Sequence, residues 1–215
     1  MTTETIENQT QTVGIATNVS LLPKTYDEFL KWNGTDGIWA EWVEGGIFEM
    51  SNPSLKHQDI SDFLTAILRF FVEAKQLGRV ISAPFQLKFD FRSTGRQPDL
   101  MFISKANADK IKKQYVEKTA DLVIEIISPE SRTRDKGDKF YEYEQAAVRE
   151  FWLIDPDRKR AEFYTLGEDG FFNFEVAEKG VFQSKVLEGM TLRVEWLWQE
   201  TLPTLMEVLK DWKLV

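Results

Sequence analysis

The stretch 121–130, DLVIEIISPE, sets one acid, Glu125, inside a run of strand-forming residues. Strict alternation would send an acid to a wet face, but Val123 and Ile127 stand at i±2 of Glu125 and both faces of the run read apolar. Such a run belongs to a central strand covered on both sides, as in the parallel part of an α/β sheet. A carboxylate buried alone is costly, so Glu125 must take up a proton or find a positive partner. The rest of the chain has to supply that partner.

Downstream, SRTRDKGDKFYEYEQAAV (131–148) predicts a helix weakened by an interior Gly137, and EFWLIDPD (150–157) a short apolar strand ended by Asp-Pro. A strand, a helix and a second strand in that order form a parallel crossover, right-handed by default. Upstream, PDLMFI (98–103) and RVISAPFQLKFDF (79–91) read as strands, and SLKHQDISDFLTAILRFFVEAKQLG (54–78) as the longest helix, ending at Gly78. Its apolar stripe is Leu55, Ile60, Phe63, Leu64, Ile67, Leu68, Phe71 and Val72. TYDEFLKWNG (25–34) predicts a short capped helix, and Gly45-Gly46 a hairpin within IWAEWVEGGIFEM (38–50). After the crossover, RAEFYTL, FNFEVAE, VFQSKVL and TLRVEWLW alternate like antiparallel strands, and LPTLMEVLKDW closes as a helix. The fold class is therefore α/β, a mixed central sheet flanked by helices with additional antiparallel strands towards both termini. Residues 1–20 are expected to be a flexible polar arm and 21–215 one domain, with a core at about 55–155.

Composition narrows the chemistry. The 215 residues carry 27 Lys and Arg against 35 Asp and Glu, a formal charge of −8, so nucleic-acid contact would need a local basic patch. The stretch 104–118 has five lysines against two acids. Lys112 and Lys113 within it, with Arg132, Arg134 and Lys136, are the candidate phosphate contacts; a solubilising loop is the alternative. The absence of cysteine excludes disulfides, thiolate metal sites and a cysteine nucleophile, and suits a reducing cytoplasm. The first 20 residues have no signal-peptide pattern, and nothing approaches the roughly 18 to 20 apolar residues of a membrane span.

Asp99 begins the strand that precedes the Glu125 strand. If the two strands are neighbours, the carboxylates converge at one sheet edge, where they repel unless a proton or a divalent cation intervenes. A lysine beside such a pair is a common arrangement for metal-assisted phosphodiester hydrolysis. Paired carboxylates acting as acid and base without a metal, as in glycosidases, remain a further possibility.

PDLMFI, the stretch EIISPESRTRDKGDKFYEYEQAAVREFWLIDP (125–156) and the order helix, strands, helix, strand resemble the PD-(D/E)XK nuclease superfamily. Within it the chain resembles the Uma-two family of restriction-endonuclease-like proteins over about 23–165. Glu125, Ser128, Pro129, Ser131, Asp135, Lys139, Tyr143 and VREFWLID carry that likeness, and WVEGGIFEMSNPSLKHQDI (42–60) adds to it. The resemblance implies a magnesium- or manganese-dependent endonuclease acting on DNA. Asp99 and Glu125 would be metal ligands together with the carbonyl of Ile126. Lys139 would be a relocated catalytic lysine, because Ile127 stands where the superfamily places one. His57, the single histidine, and Glu44 would have supporting roles, against alternatives of a hydrogen-bonded structural histidine and a wet turn acid. Cutting both strands of a duplex would call for two sites, hence a homodimer. A nuclease fold that binds DNA or protein without cutting is the rival reading.

Overall fold

The computed structural model describes residues 22–32, 39–50, 52–128 and 137–214. The expected arm at 1–20 lies outside these residues, as do Gly34, Pro129, Ser131, Arg132, Arg134, Asp135 and Lys136.

A six-stranded sheet forms the centre. Its strands are β3 (Gly78–Ser82), β6 (Leu100–Ser104), β8 (Leu122–Ile126), β9 (Glu150–Asp155), β10 (Arg160–Leu166) and β11 (Phe172–Ala177), in the order β11-β10-β9-β8-β6-β3. β8 and β9 are parallel and every other pairing in this sheet is antiparallel. The parallel pair is the crossover expected from the sequence. A second sheet, β2-β1-β5-β4-β7, contains β1 (Ala40–Val43), β2 (Gly46–Glu49), β4 (Gln86–Lys88), β5 (Thr94–Arg96) and β7 (Tyr115–Glu117).

β8 is buried at every position because both faces are covered. Leu122, Ile124 and Ile126 join a core with α2 (Leu55–Ala74), while Val123 and Ile127 join another with Tyr143, Leu87 and Phe89. This period-two division is the strand geometry that the sequence pattern implied. α2 starts at the N-cap Ser54 and buries Ile60, Phe63, Leu64, Ile67, Leu68, Phe71 and Val72. Each such side chain contributes roughly 1.5–3 kcal/mol of transfer free energy. Leu55 is exposed, being in the first turn before the stripe meets the sheet.

Several elements differ from the sequence reading. α2 ends at Ala74, and Gly78 instead opens β3, where a Cβ would lie 2.1 Å from the Ile103 carbonyl oxygen. The run 79–91 is two strands in two sheets, divided around the cis Ala83–Pro84 peptide. The hairpin turns on Glu44 and Gly45, both at positive φ, so Gly46 already belongs to β2. The second helix is α3 (Asp138–Gln145), with Gly137 at its N-cap instead of its interior. Val194–Trp198 forms a 3₁₀ turn after the short hairpin β12 (Val181–Gln183) and β13 (Thr191–Arg193). Val194, Trp196 and Leu197 are all buried there, a demand that strand alternation does not meet. α1 (Tyr26–Lys31) and α4 (Leu205–Asp211) form where expected; Thr25 caps the first, and a Thr204–Glu207 capping box opens the second. No helix among the described residues is long and apolar enough to cross a membrane.

Candidate active site

The partner of Glu125 comes from α3. Lys139 and Tyr143 are four residues apart and so share one helical face. The Lys139 ammonium lies 2.9 Å from Glu125 Oε1, and the Tyr143 hydroxyl donates to the same oxygen at 2.5 Å. Lys139 is 1% exposed and Tyr143 fully buried, packed against Phe151 and Phe89. Burial, and then the charge of Glu125, raise the Tyr143 pKa well above the ordinary tyrosine value, so the phenol keeps its proton and donates. The buried acid is therefore compensated directly by an ammonium and a hydroxyl.

Around this pair lies an ionic network that the sequence did not disclose. Glu41 of β1 is fully buried, with Oε1 3.7 Å from the Lys139 ammonium. The same Oε1 accepts from the Gln97 backbone N–H, and Oε2 accepts from Arg96 Nη1 at 2.9 Å. Arg96, on β5 and also buried, donates from Nε and Nη2 to both carboxylate oxygens of Glu142, at 2.6 and 3.1 Å. Arg92 adds a bond to Glu142 from the solvent side. Burial alone would lower the Arg96 pKa; the Glu142 hydrogen bond and the charges of Glu41 and Glu142 outweigh it and raise the pKa, so the guanidinium stays charged. Glu142 and Lys139 both belong to α3, so this network fixes the helix that carries the lysine.

Asp99 sits just ahead of β6. Its Oδ2 accepts the Ile126 backbone N–H at 2.6 Å, and its Oδ1 lies 3.3 Å from His57 Nε2. His57 is in the first turn of α2, where its own N–H donates to the cap Ser54. Asp99, Glu125, Ile126, Lys139 and His57 all line one cleft of about 230 Å³. That cleft opens where the β6–β8 ladder ends, at Leu100 and Ile124.

Of the other sequence candidates among the described residues, Glu44, Lys112 and Lys113 lie elsewhere. Glu44 is an exposed turn residue 3.7 Å from Arg92 and does not line the cleft. Lys112 donates to the Asp109 carbonyl and pairs with Glu117, and neither it nor the exposed Lys113 lines the cleft. Ile126 meets Asp99 through its N–H, whereas the sequence reading concerned its carbonyl. Glu41, Arg96, Glu142 and Gln97 are the neighbours of the candidate site that sequence reasoning missed. One signal was available: Glu41 has Trp39 and Val43 at i±2, the same apolar bracket that singles out Glu125.

The cleft carries three carboxylates, Asp62, Asp99 and Glu125, and carboxylate oxygens are the donors a hard divalent cation takes. Among the described residues no three His, Asp or Glu side chains cluster closely enough to form a metal cage. A cation at this cleft would have to take its protein oxygens from Asp99 and Glu125 and complete its shell with non-protein oxygens, as magnesium sites commonly do.

An acid on a central parallel strand, and a lysine delivered by the crossover helix, place the chain in the α/β class of restriction-endonuclease-like folds. Residues 26–195 match the model of the Uma2 family, described as "Putative restriction endonuclease", and the chain belongs to that family. Among solved structures it is similar to the crystal structure of "a putative nuclease belonging to DUF820" from Anabaena variabilis ATCC 29413. The two share 21% identity over 82% of this chain and 98% of that one, with a TM-score of 0.68. At that identity the likeness concerns the fold. A comparison with curated proteins returns no match.

Proposed function

We propose that the protein is a metal-dependent endonuclease that hydrolyses DNA phosphodiester bonds at the Asp99–Glu125–Lys139 cleft. One observation supports this reading: these three side chains arrive from three separate segments of the chain, the start of β6, the strand β8 and the helix α3, and line the same cavity. Asp99 and Glu125, with the Ile126 carbonyl, would hold magnesium or manganese. When bound, the cation supplies polarisation of the phosphate and acidification of a water. Within the chain, the Ile126 N–H and His57 hold the orientation of the Asp99 carboxylate. Lys139 brings a fixed ammonium towards a developing phosphorane charge or the attacking water, and the Glu41–Arg96–Glu142 network keeps its helix in place. Cleavage of both strands would engage two copies of the chain.

A second reading has its own support. The Lys139 ammonium and the Tyr143 hydroxyl already compensate the Glu125 charge, as would suit a nuclease fold that binds DNA or protein and does not cut. Plasmid nicking in magnesium, manganese or EDTA, with Asp99→Asn and Lys139→Met beside the parent, separates the two. The nuclease reading expects metal-dependent nicking that falls roughly 100-fold or more in both variants, each still folded by near-UV circular dichroism. Nicking that persists in EDTA, or in Asp99→Asn, overturns it. DNA retention without nicking selects the binding module.

A further inference from the structure

The cleft beside the Asp99–Glu125 pair has two walls of different chemistry that neither the carboxylates nor the lysine explains. One carries Trp39, a residue 46% exposed that lines the cavity along with Met50. The Met50 N–H donates to the Trp39 carbonyl at 2.8 Å and holds the two segments together. The other wall is a face of α2: Gln58, Ser61, Asp62 and Thr65, spaced i, i+3, i+4 and i+7, all line the cleft. Gln58 donates to Asp62 at 2.9 Å, so this stripe offers ordered donors and acceptors. An exposed aromatic side chain and a row of polar side chains are the two things an unpaired base needs, a surface to stack on and groups to meet its edge.

Size and charge favour the same ligand. About 230 Å³ is below the usual range for drug-sized ligand sites, so the cavity suits one nucleotide-sized group. A base held in a duplex reaches such a concavity only by leaving the stack. Proteins that track a duplex neutralise several phosphates with Lys and Arg. Among the described residues lining this cleft Lys139 is the one Lys or Arg, it is buried, and Asp62, Asp99 and Glu125 are acidic. Together with a formal charge of −8 on the chain, this lining of the described residues favours stacking over counterion release as a source of affinity at the cleft itself.

We infer that the cleft binds a single unpaired nucleotide, with Trp39 as its stacking platform and the α2 stripe at its edge. The substrate class is then single-stranded or locally unpaired DNA. This rests on the proposed nuclease reading only for the fate of the bound strand. The test is fluorescence anisotropy of a labelled 10-nucleotide single strand and of the matching blunt duplex. It uses the full-length protein with calcium in place of magnesium to avoid cleavage. The single strand is expected to bind at least about tenfold more tightly, because a stacking contact is made by one substrate and not the other. Trp39→Ala should weaken that binding roughly 5- to 150-fold, and Trp39→Phe should restore most of it. Duplex binding as tight as single-strand binding, or an unchanged affinity in Trp39→Ala, overturns the inference. Tight single-strand binding with no nicking in magnesium or manganese would leave it standing and remove the nuclease reading. Metal-dependent nicking of unbroken duplex, indifferent to Trp39→Ala, would do the reverse.

Discussion

The two faces of β8 are built on opposite principles. Towards α2, Leu122, Ile124 and Ile126 join one apolar core. Towards α3, Val123 and Ile127 flank Glu125, and Lys139, Tyr143, Glu142, Arg96 and Glu41 gather close by with almost no exposure. The apolar face depends on volume and shape, and hydrophobic replacements of similar size cost it little. The ionic face depends on complete partnership, since removing one member strands the others without solvent. The groups proposed for chemistry sit at the edge of the ionic face. There a fixed ammonium comes at the expense of tolerance to mutation.

Arg96→Leu should break the contrast most severely. It removes the buried guanidinium that Glu41 and Glu142 share, leaving Glu142 with Arg92 and Glu41 with Lys139 and the Gln97 N–H, and should lower stability by about 3–5 kcal/mol in urea unfolding. The triple change Glu41→Leu, Arg96→Met and Glu142→Leu should recover most of that loss, because an apolar replacement needs no charge partner. If the triple variant is no more stable than Arg96→Leu, partnership is not what the ionic face requires.

Tyr143→Phe comes next, at about 1.5–3 kcal/mol for a hydrogen bond to a buried carboxylate. It also sharpens the comparison through pH. The Tyr143 pKa is raised in the folded state, by burial first and by the Glu125 charge second. Its neutral phenol therefore contributes stability that is complete below about pH 10 and is lost as pH rises from there towards the folded value. Alkaline unfolding should be shallower in Tyr143→Phe. Tyr26 and Tyr164, both raised by burial in the first place, should retain a residual slope.

On the apolar face, Ile124→Val removes one methylene and should cost only about 0.5–1.5 kcal/mol. Smallest of all, Glu44→Ala should change stability by no more than about 0.5 kcal/mol and leave any nicking unaltered. A loss of nicking in that variant would restore Glu44 to the site.

How far the sequence revealed this arrangement depends on distance along the chain. α2, the hairpin and the β8–α3–β9 crossover were legible because each is defined by local periodicity and turn residues. Glu125 stood out because its apolar neighbours bracket it. Arg96 did not, since RSTGRQPD (92–99) reads as a polar loop, while its partners lie 55 and 46 residues away on β1 and α3. Glu142, among Asp138 and Glu144, looks like one more acid on a wet helix. The split of 79–91 between two sheets was equally hidden, because a run of strand formers does not say which neighbours it will pair with.

The bond between Asp99 and the Ile126 N–H has a consequence for anyone dissecting the site. The seam between β6 and β8 stops at Leu100 and Ile124, and the next amide along the zipper is claimed by a side chain. One oxygen of Asp99 is thus masonry, and only the other faces His57. Trimming the residue to alanine would loosen the stonework and silence any reaction at once, two failures with a single appearance. Asparagine keeps the acceptor and discards the charge, which makes position 99 a place where wall and tool can be told apart.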